Sequence, residues 1–112
     1  MRKFDYRVPR FAVGLPIRLT FDDSTQMGLC TEISTEGMTL EVFKPLSADS
    51  LGRVHVDFND VELDLAVCVA HSGSSCDGVR FVYQSEEQRN EVSRLIAVIT
   101  TDHRGTGPAL LR

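Results

Sequence analysis

Short hydrogen-bonding side chains are concentrated in the hexapeptide Glu-Ile-Ser-Thr-Glu-Gly that begins at Glu32. Glu32 and Ser34 supply a carboxylate and a hydroxyl, and Gly37, which has no Cβ, lets a ligand or another backbone come close. A second set of polar groups lies near the N-terminus, where Arg7 and Arg10 carry guanidinium forks that match anionic groups such as phosphate. The two sets together indicate a binding site for a small anionic ligand. The hexapeptide alone is also typical of an ordinary turn.

Basic residues are concentrated at the N-terminus of an otherwise acidic chain. Residues 1–20 carry five Arg or Lys and one Asp, a balance of +4, which leaves −8 for the rest of a chain whose net charge is −4. Non-specific affinity for DNA or RNA comes from neutralising many phosphates, and single strands also need exposed aromatic side chains. An acidic body with no Trp and two Tyr therefore predicts no DNA or RNA partner. The charges leave two interpretations open. Either the arginines bind a small anion, or they belong to a solvated basic tail.

Alternating apolar and polar residues predict the elements that hold these groups. Six short segments alternate with a period of two, as β-strands do, and short connections separate them. Their expected inward positions are Ile17, Leu19 and Phe21; Leu29, Thr31 and Ile33; Met38, Leu40 and Val42; Val54, Val56 and Phe58; Val61, Leu63, Leu65, Val67 and Val69; and Val79 and Phe81. The chain is therefore predicted to be mainly β, with six antiparallel strands closed into a small barrel. The hexapeptide is the hairpin connection between the second and third strands.

One C-terminal α-helix is predicted after the barrel. Ser85 and Gln88 have the spacing of a capping box, which marks the start of a helix. The apolar residues that follow fall on one helical stripe, which is expected to pack on the barrel. They are Val92, Leu95, Ile96 and Ile99.

The chain is predicted to be one domain with an extension at each end. Pro9 and Gly14 discourage both a helix and a central strand, so residues 1–13 are expected to form a flexible N-terminal arm. Residues 14–101 form the barrel and its helix in this interpretation. Residues 102–112, which are rich in glycine, are expected to be a disordered tail.

Catalytic and metal-binding interpretations have little support. No Ser-His-acid or paired-carboxylate arrangement suggests itself, so the chain is predicted not to be an enzyme and to have no catalytic residue. Cys68, His71 and Cys76 lie within nine residues, but their spacing matches no structural zinc pattern, and no metal site is predicted. An odd number of cysteines fits reduced thiols. Because no run of 18 apolar residues and no secretory signal is present, a cytoplasmic location without membrane insertion is expected.

The order of these features resembles the PilZ domain family from about residue 6 to residue 101. That family carries Arg-x-x-x-Arg in an N-terminal arm and Asp/Asn-x-Ser-x-x-Gly in a hairpin. In the arm, Arg10 matches the second arginine and Tyr6 stands at the first. In the hairpin, Ser34 and Gly37 match, and Glu32 replaces the Asp or Asn.

The resemblance implies a signalling function. The family is known as the receptor class for the bacterial second messenger cyclic di-GMP, so the chain is expected to bind this ligand, with no other cofactor, and to signal to an effector protein that the sequence does not identify. The ligand-binding residues that the resemblance implies are Tyr6, Arg7, Arg10, Glu32, Ser34 and Gly37. The alternative is an adaptor that keeps the barrel and no longer binds the nucleotide, as some members of the family do.

The chemistry of cyclic di-GMP matches these side chains. Each guanine presents the acceptors N7 and O6 on one edge and the donors N1 and N2 on another. Arginine forks suit both the phosphates and the acceptor edge, whereas a carboxylate or hydroxyl suits the donor edge. Tyr6 offers a flat surface that could stack on a guanine. The arm is expected to fold over a ligand that lies on the hairpin.

Overall fold

The computed structural model describes residues 8–73 and 76–111, with side chains to residue 101. Within these residues the chain forms six strands and one helix. The elements are β1 (Phe11–Phe21), β2 (Ser24–Ile33), β3 (Gly37–Val42), β4 (Leu51–Phe58), β5 (Val61–Ser72), β6 (Asp77–Val82) and α1 (Glu86–Leu111). Every neighbouring pair is antiparallel, and the strands close in the order β1-β2-β3-β6-β5-β4. The predicted six-stranded antiparallel barrel with one C-terminal helix is confirmed.

The core is built by the inward-facing residues of the alternating strands. In β5 every second residue from Val61 to Val69 is buried, and the residues between them are exposed or half-buried. The largest fully buried side chains come from all parts of the chain except β6 and the turns, and they are Ile17, Leu19, Ile33, Leu40, Leu63, Leu65, Leu95, Val54, Val56, Val67, Val69 and Val92. Helix α1 contacts β5 and β1, and its predicted apolar stripe is buried. The helix therefore covers the barrel, as the sequence predicts.

Strand β1 begins earlier than the sequence analysis places it. It starts at Phe11, so residues 11–13 of the predicted arm belong to the barrel, because Phe11 and Val13 continue the alternation of the later core positions and pack against the core. Pro16 is tolerated in this strand since β4 pairs with β1 only from Arg18 onwards, which leaves Pro16 hydrogen-bonded to β2 alone. Residues 8–10 of the predicted arm are exposed and precede β1, and residues 1–7 lie outside the described residues.

The predicted inward face of β2 is wrong by one residue over its first half. Cys30, not Leu29 or Thr31, faces the core, and it is fully buried. The cause is a β-bulge, since Cys30 pairs with Leu40 but Glu32 pairs with Thr39, which leaves Thr31 as an extra residue in β2. Because the bulge adds one residue to β2, Cys30 and Ile33 both face inward although they are three residues apart.

The thiol of Cys30 is held inside the barrel. Burial raises its pKa to about 12, and its Sγ donates a hydrogen bond to the Glu32 carbonyl at 3.1 Å. Cys30, Cys68 and Cys76 are all free thiols, as predicted. A buried thiol with this pKa is a structural side chain and not a nucleophile.

Helix α1 has the predicted N-terminal residues but a later end. The Ser85 Oγ accepts a hydrogen bond from the backbone N–H of Gln88 at 3.2 Å, and the Gln88 side chain accepts one from the N–H of Gln84 at 2.8 Å. The helix continues to Leu111, although the glycines after residue 101 predict an earlier end. No helix in the described part of the chain has the length and apolar character needed to cross a membrane.

Candidate ligand-binding site

Ser34 holds the turn between β2 and β3. Its backbone N–H donates to the Gly37 carbonyl at 2.9 Å, and its hydroxyl oxygen accepts from the N–H groups of Glu36 at 3.0 Å and Gly37 at 3.3 Å. Ser34 is buried, with only 7% of its surface exposed. The hydroxyl therefore satisfies backbone donors that strand pairing leaves free, and this is the mechanism by which serine favours turns.

Gly37 allows β6 to approach the turn. A Cβ at this position would lie 2.1 Å from the Val79 carbonyl oxygen, closer than any real Cβ contact. Gly37 pairs with Arg80 across the junction of β3 and β6. No glycine in the described ranges has a positive φ, so close approach, and not a left-handed backbone, explains this residue. Of the two roles that the sequence leaves open, approach of another backbone is the one observed.

The turn is fixed to the end of the barrel by contacts from the last strand and the helix start. The Glu36 carbonyl accepts a hydrogen bond from the N–H of Phe81 at 2.9 Å, and the Tyr83 hydroxyl donates to the Thr35 carbonyl at 2.6 Å. Burial raises the pKa of Tyr83, and the guanidinium of Arg89 lies 4.6 Å from the centre of its ring. The turn is therefore a rigid platform and not a mobile loop tip.

Arg10 and Glu32 face each other beside this platform. The Arg10 Nη1 lies 3.5 Å from the Glu32 Oε1, and both side chains are about half-exposed. The Thr39 hydroxyl donates to the same carboxylate oxygen at 3.4 Å. The structure thus brings together the predicted arm arginine and the predicted hairpin carboxylate, although they are 22 residues apart in the sequence. The two other predicted arm residues, Tyr6 and Arg7, lie outside the described residues.

A cleft of about 700 Å³ opens beside this pair. Four predicted residues line it: Arg10, Glu32, Ser34 and Gly37. The opposite side is formed by residues that the sequence analysis did not select: Ala70, His71, Cys76, Gly78 and Arg80. They were missed because nothing in the alternation pattern indicates that β6 lies beside β3.

Arg80 supplies the cleft with a cation that is not neutralised. Its neighbours Val79 and Phe81 are buried, so the alternation of β6 turns Arg80 to the outside, where it is exposed beside Gly37. The charged groups that line the described part of the cleft are Arg10, Arg80, Glu32 and Glu36. Since Arg10 is paired with Glu32, Arg80 is the arginine of the cleft lining that has no ion-pair partner among the residues described.

Comparison with known proteins decides the family. The model of the PilZ domain family matches residues 4–98. The chain belongs to the PilZ domain family. Its structure is similar to a crystal structure of the PilZ domain of CeSA from a cellulose synthesizing bacterium, with a TM-score of 0.74 and 17% sequence identity, over 82% of this chain and 98% of that chain. A comparison with curated protein sequences finds no match.

The described residues at the two motif positions of this PilZ domain divide into those that hold the turn and those that face the cleft. Ser34 and Gly37 build the turn and its junction with β6. Arg10 and Glu32 present their charged ends to the cleft. The hairpin motif therefore shapes one wall of the cleft, while the charged side chains that line it come from the residue before β1, from β2, from the turn and from β6.

Metal-binding clusters are not present in the part of this PilZ domain that the structure describes. No group of three or more His, Cys, Asp or Glu residues there is arranged to hold a metal ion. Cys68 lies on the outer face of β5 and pairs with Arg80, whereas His71 and Cys76 line the cleft. The three residues do not converge on one point.

We expect Ser34→Ala to destabilise the PilZ domain by about 1–2 kcal/mol, because two backbone N–H groups lose their acceptor. Urea unfolding measures the change. Thr35→Ala is the matched control, because the Thr35 hydroxyl lies in the same turn and makes no hydrogen bond in the described structure. It should change the free energy of unfolding by less than about 0.5 kcal/mol. Equal effects of the two substitutions would contradict the structural role of Ser34.

Proposed function

We propose that this PilZ domain is a receptor for cyclic di-GMP, which binds in the cleft between Arg10, the Ser34 turn and Arg80, and that binding is passed on to an effector protein. The observation that carries the proposal is the cleft itself, in which the predicted arm arginine and the predicted hairpin carboxylate meet. Its volume of about 700 Å³ falls within the range of small-molecule sites. The proposal gives the domain a binding role and no catalytic residue.

The charge of the cleft suits a ligand with two phosphates only if Arg80 also contacts the ligand. Without Arg80, the described lining would consist of Arg10 against Glu32 and Glu36, a net charge of −1, which repels a dianion. Arg80 brings this sum to zero, and any positive excess would come from Arg7 in the arm. Arg80 therefore supplies a positive charge that this chain lacks at residue 6, where the family's first arginine is replaced by Tyr6.

Binding requires Arg10 to exchange its partner. Its contact with Glu32 is long, half-exposed and weak, so a phosphate or guanine can replace it at little cost. Once released, the Glu32 carboxylate can accept from the N1 and N2 donors of a guanine. The two side chains thus lie next to each other at the cleft before the ligand arrives, and each has a group on the ligand to bind once the pair separates.

Transmission to an effector is the second part of the proposal. Arg10 directly precedes β1, so residues 1–9 are attached to a group that changes partner when the ligand binds. A rearranged arm would offer an altered surface to another protein. The existence of an effector, the expected cytoplasmic location and the absence of a nucleic-acid partner stay predictions.

Arg80→Gln should weaken cyclic di-GMP binding by roughly 3- to 10-fold, since it removes one exposed and partly screened charge contact. Titration of a fluorescent cyclic di-GMP with each variant measures the effect. Arg94→Gln is the control, because Arg94 is an exposed arginine on α1 that does not line the cleft. Equal affinities for the Arg80→Gln and wild-type proteins would remove Arg80 from the site and leave the charge of the cleft unexplained.

A further inference from the structure

Four apolar side chains lie together on the outer face of β1, β2 and β3. This outer apolar patch consists of Pro16, Met27, Leu29 and Phe43, of which Met27 is 61% and Phe43 is 91% exposed. The strand register places Pro16 opposite Leu29 and Arg18 opposite Met27, so the patch is continuous across neighbouring strands. Solvated strand faces usually carry polar side chains at such positions, and a contiguous apolar patch indicates an interaction surface.

Phe43 is held rigidly although its ring is almost fully exposed. The Oε1 of Gln26 accepts hydrogen bonds from the backbone N–H groups of Phe43 at 3.2 Å and Lys44 at 3.0 Å, and its Nε2 donates to the Lys44 carbonyl at 3.0 Å. Val42 pairs with Gly28, so Phe43, the next residue, continues beside Met27. Phe and Met are enriched at protein interfaces, and an anchor on a fixed backbone loses little freedom when it is covered.

The opposite side of the barrel differs in character. The outer positions of β4 and β5 carry Arg53 and Asp64, which pair with each other at 2.8 Å, and His55, which lies near Glu62 and Asp64. These charged side chains pair with one another, as is usual on a solvated surface. Two exposed large apolar side chains lie elsewhere on the barrel, Leu51 on β4 and Val82 on β6, and β5 separates them from each other. The outer apolar patch is where exposed apolar side chains are grouped.

Two opposite charges lie at opposite corners of the patch. One row across the strands reads Pro16, Leu29 and Glu41, and the next pairs Arg18 with Met27. Phe43 follows Val42, the last residue of β3, at the far end of this second row. Arg18 and Glu41 are therefore diagonal to each other on the sheet. Neither has an ion-pair partner in the ranges that the structure describes.

We propose that the outer apolar patch is a two-fold interface between two copies of this chain. A two-fold axis along the diagonal from Pro16 to Phe43 places Arg18 of each copy against Glu41 of the other and brings the two Phe43 rings together. The strands of the two copies then cross at a steep angle, as in orthogonal sheet packing. A two-fold interface must be self-complementary, and this arrangement of one cation, one anion and a central apolar group meets that condition.

The patch is small compared with a stable interface, which buries roughly 800 Å² on each partner. The dimer is therefore expected to be reversible, with a dissociation constant in the micromolar range. The proposal is independent of cyclic di-GMP binding, because none of the four patch residues lines the cleft.

Sedimentation velocity over a concentration series tests the interface. The wild-type protein should shift from monomer to dimer as its concentration rises, and Phe43→Glu should weaken the dimer by roughly 10- to 100-fold. Arg18→Glu and Glu41→Arg should each weaken it by roughly tenfold, since each places two like-charged pairs in the interface. The double variant Arg18→Glu/Glu41→Arg should restore the wild-type constant, because both pairs are re-formed with reversed polarity.

Leu51→Ser is the control, because Leu51 is an apolar residue on β4 that is 69% exposed and lies away from the patch. It should leave the dissociation constant unchanged. Thermal unfolding of each variant checks that the fold is intact, which is expected since all the substituted side chains are exposed. A wild-type monomer at every concentration, or a dimer that Phe43→Glu leaves intact, would overturn the proposal. A double variant as weak as the single ones would overturn the two-fold pairing.

Discussion

Gly37→Ala is expected to destabilise the barrel by about 3 kcal/mol, at the upper end of the cost of overpacking. The added Cβ would lie 2.1 Å from the Val79 carbonyl oxygen, and this neighbour is backbone, so no change of rotamer relieves the overlap. Relief requires β3 and β6 to separate where Gly37 pairs with Arg80, and this weakens the closure of the barrel. The free energy of unfolding in urea is the quantity to measure.

Gly14→Ala is the matched control for this substitution. A Cβ at Gly14 has no atom within 4 Å, and Gly14 also lies in a strand, β1. It should leave stability unchanged or raise it by about 0.4–1 kcal/mol, because alanine restricts the unfolded chain. Wild-type stability of the Gly37→Ala protein would show that the turn and β6 are not in close contact, and the glycine of the hairpin motif would then need another role.

Arg10→Ala is expected to weaken cyclic di-GMP binding by roughly 10- to 100-fold, because a hydrogen bond to a charged group contributes about 1.5–3 kcal/mol. The melting temperature should change little. The Arg10 and Glu32 side chains are 50% and 42% exposed, and ion pairs at such positions contribute about 0–1 kcal/mol to folding. Arg10→Ala is thus expected to lower the affinity for cyclic di-GMP without lowering the stability of the fold.

Arg53→Ala provides the comparison, since it breaks a similarly exposed ion pair, with Asp64, on a face of the barrel that does not line the cleft. Both substitutions should have the same small effect on thermal unfolding, and only Arg10→Ala should lose affinity. Should Arg10→Ala bind as tightly as the wild-type protein, the arginine before β1 is part of a solvated tail.

The fold could be predicted from the sequence wherever a strand alternates without interruption. β5 shows this best, because its five inward residues from Val61 to Val69 are all buried. β2 could not be placed correctly, since a bulge at Thr31 changes which side chains face inward and leaves no mark on the hydrophobic pattern. β1 was placed too late because Pro9 and Gly14 were taken as breaks, although the segment around Gly14 pairs with β2 alone.

The candidate site could be predicted in part, for a physical reason. Arg10 and Glu32 were recognised from motif positions, and the pairing of β1 with β2 brings them together. Arg80 and His71 were not, since their place in the cleft depends on the pairing of β6 with β3 and β5, and alternation does not specify which strands become neighbours. For Gly37 the sequence allowed a ligand or a backbone as the close neighbour, and only the folded barrel shows the Val79 carbonyl in that place.

Titration calorimetry of the wild-type protein with cyclic di-GMP tests the central claim most directly. Two temperatures should be used, because binding that buries apolar surface changes heat capacity and has a measurable enthalpy at one of them at least. Saturable binding of cyclic di-GMP is the expected result, and GMP should not reproduce it, since GMP has one guanine and a single phosphate and so offers half of the groups that Arg10, Glu32 and Arg80 would contact. No saturable heat at either temperature would contradict the receptor function and favour an adaptor that keeps the PilZ barrel without its ligand.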